Sequence, residues 1–338
     1  MNVNGKIVRY GLDTRDHMIG FLSQFYKKYA PNAVHDDNMS SAVLNKNWSC
    51  FLYEHDGKNF LGFFDGDDGS GGTPFDIKLN WPRFQNLIDH YNVVDYAVFK
   101  IQHSNFAEAR QFYPFKRDVY PLALMTNDPS RIFALADTMV RKEQDIDVLF
   151  VGGKVHDHNK PYCWPKNRNV NQHWPTNRKI GYSKLLEIKE RRKDLNIVTV
   201  DNLLTHGDYY DLVNRAKICL DFPGIGLSSR KFYEFLVLGK CIMALPQNNC
   251  CWNLKEFHHY FPLYNKKAEP DFDYTCLEKR IDYLLTYDNL REILCKNAAA
   301  LRSKMSFEAV ADYVNRTFEQ FVEWNILGTI ELHRTRYE

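Results

Sequence analysis

The chain has 338 residues, enough for two domains of about 150 residues each. Hydrophobic residues make up 44%, charged residues 25%, and the formal net charge is +2. This balance excludes a disordered polyelectrolyte and gives no electrostatic reason to expect a nucleic-acid partner.

The first residues, MNVNGKIVRYGLD, lack the apolar core of a signal peptide, and no run of about 18 apolar residues predicts a membrane span. The eight cysteines are scattered without a Cys-x-x-Cys pair and read as reduced thiols. A cytoplasmic protein is therefore expected, with peripheral membrane contact still compatible. Aromatic content is 14%, which suits either carbohydrate contacts or large cores.

In chain order, KIVRY at 6–10 reads as the first strand, and a helix follows over 17–29, with Met18, Leu22, Phe25 and Tyr29 at helical spacing. Strands are predicted at 49–53, 59–64, 93–101 and 119–125, with helical patterns at 84–91 and 132–140. A second unit opens at Asp147, where DVLFVGG is a buried strand running into a glycine turn. A long polar and aromatic loop, 154–177, precedes a charged helix at 179–192. A strand at 196–200, a helix at 209–216 and a strand at 218–222 come next. Helices at 273–287, 290–305 and 307–324 close the chain. Strands alternating with helices predict an α/β fold with a parallel sheet in each half, covered on both faces.

The chain is organised around Asp221–Pro246, DFPGIGLSSRKFYEFLVLGKCIMALP. It reads as strand end, glycine turn, helix, glycine stop and strand. Gly224 and Gly226 allow a tight turn and close approach to a ligand, and Ser228 and Ser229 are good N-caps. Gly239 can end the helix in the left-handed conformation. Arg230 and Lys231 lie in the first helical turn, where the dipole disfavours cations unless an anion sits nearby. Free amides, two hydroxyls and two cations make a phosphate site. Glu234 lies one turn on from Arg230 and is placed to accept hydrogen bonds from ribose hydroxyls. The same residues also make an ordinary Ser-capped helix with an Arg230–Glu234 pair.

The run Gly-x-Gly-x-x-Ser-Arg-x-x-x-Glu-x-x-x-x-Gly-Lys, Gly224 to Lys240, resembles the donor-site motif of GT-B glycosyltransferases. The likeness is clearest over 147–324 and is closest to group-1-like and spore-maturation-like members. It implies two Rossmann-like domains facing across a cleft. An acceptor-side domain would span 1–145 and a nucleotide-sugar domain 146–305. A C-terminal helix, 306–338, would pack back on the first domain. It implies a sugar transfer from a UDP-, GDP- or dTDP-linked donor to a hydroxyl of a glycan or glycoconjugate, with no cofactor required and no catalytic metal expected. The helix N-terminus with Arg230 or Lys231 would hold the diphosphate and Glu234 the ribose. Gly153 and Lys154, in the turn after the Asp147 strand, would face the donor, with His156, His158, Lys160 and Arg178 as flanking cations. The position eight residues before Glu234, a second Glu in many retaining members, is Gly226.

In inverting members the first strand-to-helix loop supplies the base, which makes Asp13, Asp16 and His17 candidates beside Asp65, with His103 as another. The acidic turn Asp65, Asp67, Asp68 also fits a solvated turn, or a metal-binding Asp-x-Asp of a GT-A transferase. His156, His158, Cys163 and His173 match no common zinc spacing. Tyr162, Trp164 and Trp174 offer faces for stacking on a sugar or base. A non-catalytic sugar- or nucleotide-binding protein of the same fold is the alternative from another class.

Overall fold

The computed structural model describes residues 5–12, 18–42, 48–65, 82, 84–101, 119–122, 129–152, 173–223, 229–247, 251–265 and 272–327. The chain divides into two compact units, one of residues 1–127, 249–251 and 304–338, the other of 128–248 and 252–303.

The first unit is built on β1 (Lys6–Leu12), β2 (Val34–His35), β3 (Trp48–His55), β4 (Lys58–Asp65), β5 (Val93–Ile101) and β6 (Val119–Leu122), in the order β2-β1-β3-β4-β5-β6. The parallel sheet expected for this half is corrected here: β3 runs antiparallel to both β1 and β4. The cause is local. Asp56 and Gly57, with φ of 49° and 72°, form a two-residue link between β3 and β4. Positive φ at both positions is the type I′ hairpin geometry, and two residues cannot make a parallel crossover.

One face of this sheet packs on α1 (Ile19–Tyr29) and on α9 (Phe307–Leu327), the last described helix. The contact is aromatic. Phe51 meets Phe25, Phe64 and Phe318 at ring separations of 5.4, 5.6 and 4.8 Å. Phe51 faces Gly62 across the strands, and a Cβ there would come within 2.1 Å of the ring. Only glycine lets the ring lie over that backbone. Asp312 of α9 accepts from Lys28 Nζ at 2.6 Å and from the Tyr29 hydroxyl at 2.5 Å. The other face holds Met39 of α2 (Asp37–Ala42) with Leu52, Leu61, Phe63, Phe84, Leu87 and Val98. Many of the aromatic residues are therefore spent on the core.

The second unit carries an all-parallel sheet of β7 (Ile146–Val151), β8 (Ile197–Val200), β9 (Ala216–Asp221), β10 (Ile242–Ala244) and β11 (Phe261–Pro262), in the order β8-β7-β9-β10-β11. The near-continuous burial of β7 and β9 suits parallel strands flanked on both sides. Its helices are α3 (Pro129–Thr138), α4 (His173–Arg191), α5 (His206–Arg215), α6 (Arg230–Val237), α7 (Leu277–Thr286) and α8 (Asp288–Ala300). α6 starts and stops as its sequence predicts. The Ser229 hydroxyl accepts from the Phe232 amide at 3.2 Å. Gly239 sits at φ 61°, and the amides of Gly239 and Lys240 donate to the carbonyl oxygens of Leu236 and Phe235, each at 3.0 Å. That pair of bonds is the Schellman closure.

Among the described residues no helix is long and apolar enough to cross a membrane. Phe318, 1% exposed and in ring contact with Phe51, Tyr53, Phe99 and Phe321, anchors α9 to its sheet. Phe318→Ala should cost about 3–5 kcal/mol in chemical denaturation, and a loss below about 1 kcal/mol would contradict this packing.

Candidate functional site

In the second sheet, β7 leads to β8 on one side, and the chain then returns past β7 to place β9 on the other. Ligands of open parallel sheets bind beyond the carboxyl ends of the strands, where the order reverses. That point is the end of β7 and β9. Right-handed crossovers put α4 and α6 on opposite faces, so their first turns approach this point from two sides.

Two cations meet there. Gly152 directly follows β7, and a Cβ on it would lie 2.2 Å from Arg178 Nη2 and 3.1 Å from Lys231 Nζ. Arg178 is on α4 and Lys231 on the first turn of α6. Both rest on the Phe150 ring, with Lys231 Nζ at 4.8 Å and Arg178 Cζ at 5.7 Å from its centre. Lys231 Nζ also donates to the Val151 carbonyl oxygen.

The nearest countercharge is Asp221, the last residue of β9, with a fully buried side chain. One carboxylate oxygen accepts from the Ser229 hydroxyl at 2.6 Å and lies 3.9 Å from Lys231 Nζ. The other has no hydrogen-bond partner among the described residues. Burial raises the Asp221 carboxyl above its ordinary value, against the pull of Lys231, Ser229 and Arg178. Burial lowers Lys231 to about 8, with Arg178 adding to the fall and Asp221 opposing it. Arg178 is lowered for the same reason, burial.

Glu234 lies one turn further along α6, half-buried, and burial raises its carboxyl. Its neighbour is the Tyr209 hydroxyl of α5. The approach falls short of a normal hydrogen bond and leaves that hydroxyl unsatisfied among the described residues. Arg230, by contrast, is exposed.

Of the residues singled out in the sequence, Arg178, Ser229, Lys231 and Glu234 stand together at this strand end, and Arg230 is at the surface. Asp13, Asp16, His17, Asp67, Asp68, His103, Gly153, Lys154, His156, His158, Lys160, Tyr162, Cys163, Trp164, Gly224, Gly226 and Ser228 lie outside the described residues. Asp65 ends β4, and His173 and Trp174 begin α4, with side chains outside the described set. Gly152, Asp221 and Tyr209 were not singled out by sequence. A carboxylate closing a buried strand was the available signal for Asp221. Among the described residues no group of three His, Cys, Asp or Glu could hold a metal ion. No protein-family model matches the chain, and no curated protein matches it.

Two cations converge on one point here, with the carboxylates of Asp221 and Glu234 acting on Lys231 as countercharges, and a phosphate is the kind of group such a cation pair can hold. Two outcomes follow. A methyl group at Gly152 must displace the Arg178 guanidinium and press on the Phe150 ring, whose Cζ would lie 2.9 Å away. Gly152→Ala should therefore lose pyrophosphate affinity by about tenfold in calorimetry, with circular dichroism checking that the unit still folds. Unchanged affinity would contradict the site. Lys231 carries its charge below about 8 and loses it above. Pyrophosphate affinity should therefore fall as pH rises through about 8, and this step should vanish in Lys231→Met; a profile flat across that range in the native chain would contradict the role of Lys231.

Proposed function

We propose that this chain is a metal-independent glycosyltransferase of the GT-B type, transferring a sugar from a nucleoside diphosphate sugar to a hydroxyl of a glycan or glycoconjugate. The observation that carries the reading is the convergence of Arg178 and Lys231 over Gly152 at the switch point of the parallel sheet. Two adjacent cations over a backbone without a side chain suit a diphosphate. Glu234, three residues after Lys231 on the same helix, adds a carboxylate that can accept from ribose hydroxyls.

In this reading the two units divide the work. The second unit binds the donor through Arg178, Ser229, Lys231 and Glu234, and Gly153, Lys154, Gly224, Gly226 and Ser228 remain the candidates that the sequence adds; Arg230, at the surface, is not among them. The first unit holds the acceptor and supplies the base, from Asp13, Asp16, His17 or Asp65. Chemistry rests on the leaving diphosphate. Its negative charge grows as the glycosidic bond to the anomeric carbon breaks, and the fixed cations of Arg178 and Lys231 stabilise it more in the transition state than in the ground state. Phe150, 1% exposed beneath both, keeps water from that side and strengthens the interaction. The base removes the acceptor hydroxyl proton as that oxygen bonds to the anomeric carbon. The proposed enzyme works in the cytoplasm without a cofactor.

Ligand-observed NMR against UDP-, GDP- and dTDP-sugars, with and without EDTA, tests this. One nucleotide class should bind saturably, survive EDTA, and lose about tenfold or more in affinity in Arg178→Ala. Binding should be accompanied by slow release of free sugar and nucleoside diphosphate. If no sugar nucleotide binds, the proposal fails. If binding occurs but neither hydrolysis nor transfer is seen with any glycan acceptor, the chain is a binding protein of this fold.

A further inference from the structure

The geometry points to Lys231 as a reactive lysine that forms an imine with phosphorylated aldehydes, the phosphate resting on Arg178. This inference stands on the cation pair itself and not on the sugar-nucleotide reading.

Three features of the site converge on Lys231. Its side chain is 20% exposed, so it is largely withdrawn from water yet reachable. Its Nζ lies 4.8 Å from the centre of the Phe150 ring, an apolar wall. The Arg178 guanidinium shares with it the space over Gly152, both lying within 3.1 Å of one point. An amine in an apolar wall beside a second cation is the environment that makes lysine nucleophilic near neutral pH, because both effects disfavour the ammonium form. They act against the Val151 carbonyl oxygen and Asp221, 3.9 Å away, which favour the ammonium, so the amine must leave the Val151 oxygen to react. Lys240 differs in access: it is 7% exposed against 20% for Lys231 and donates to the Asn214 carbonyl oxygen inside the unit. It offers an aldehyde no approach.

The chemistry balances without an oxidant or reductant. Lys231 releases a proton to solvent, and the free amine attacks the aldehyde carbon, forming the C–N bond as the C=O π bond breaks and one amine proton passes to the oxygen. The carbinolamine then breaks its C–O bond and loses the hydroxyl with the remaining N–H proton as water, giving the imine. Arg178 cannot deprotonate at neutral pH, so it stays a guanidinium and holds the phosphate by charge-assisted hydrogen bonds. An aldehyde and a phosphate on adjacent carbons of one framework match two groups that share one point. The ligand class is therefore a small phosphorylated aldehyde, which includes the open-chain forms of sugar phosphates.

The test uses the full chain with pyridoxal 5′-phosphate as probe, reduction by borohydride, and peptide mapping. The native protein should be labelled first at Lys231. Pyridoxal, which lacks the phosphate, should label it about tenfold more slowly, the worth of one charge-assisted hydrogen bond. Inorganic pyrophosphate should protect Lys231 and leave surface lysines unprotected. Arg178→Gln should bring the two probes to similar rates. Labelling spread over surface lysines with Lys231 untouched would overturn the inference. Equal rates for both probes at an unprotected Lys231 in the native chain would overturn it too. These arms use no sugar nucleotide, so a failure of the transferase reading leaves them unaffected. Native-chain labelling and protection need no variant to fold.

Discussion

Two like charges held over one glycine are the constraint on which the second unit turns. Arg178 and Lys231 approach the same point above Gly152, with the buried carboxylate of Asp221 near Lys231 and Glu234 one turn further along α6. Such a pair is unfavourable by itself, since burial removes the water that would screen it. Folding tolerates it because three features offset the cost. The Phe150 ring lies under both cations, the Val151 carbonyl oxygen accepts from Lys231, and Asp221, at the end of β9, lies 3.9 Å from Lys231 Nζ. What remains without a partner among the described residues is one carboxylate oxygen of Asp221.

The scaffold explains how the residues reach that point. Gly152 brings the backbone close because it has no side chain. The Ser229 hydroxyl caps α6 and at the same time binds Asp221, so one residue fixes both the helix start and the strand end. The Schellman closure at Gly239 then returns the chain into β10 beside β9. Each of these is a short-range device, yet together they orient Lys231 inward and Arg230 outward. The i to i+1 step along a helix turns a side chain by about 100°, so only one of two neighbouring cations can face the strand ends.

Much of this was legible in the sequence, and the omissions have physical causes. The Ser cap, the left-handed glycine and the helix between them follow from local rules, and the structure has them where expected. The α/β class and the parallel second sheet follow from alternation of strand and helix patterns. The antiparallel hairpin of β3 and β4 was written in Asp56-Gly57, whose positive φ preference signals a two-residue turn. Strand lengths alone hid it. Val34–His35 and Phe261–Pro262 are too short to show a period, and they exist because a longer neighbour pairs with them. The site was legible only in part. Lys231 and Glu234 stand out within one helix, whereas Gly152, Arg178 and Asp221 come from three separate segments, and only the sheet topology brings them together. Arg178 was one cation among several in a polar stretch, and nothing local distinguished it.

The most direct test of the central claim is the crystal structure of the chain with uridine diphosphate bound. The account predicts the diphosphate over Gly152, with phosphate oxygens about 3 Å from both the Arg178 guanidinium and Lys231 Nζ. It predicts that the nucleoside extends toward Glu234. A diphosphate bound elsewhere, with Lys231 still on the Val151 carbonyl oxygen and Arg178 still on the Phe150 ring, would contradict it.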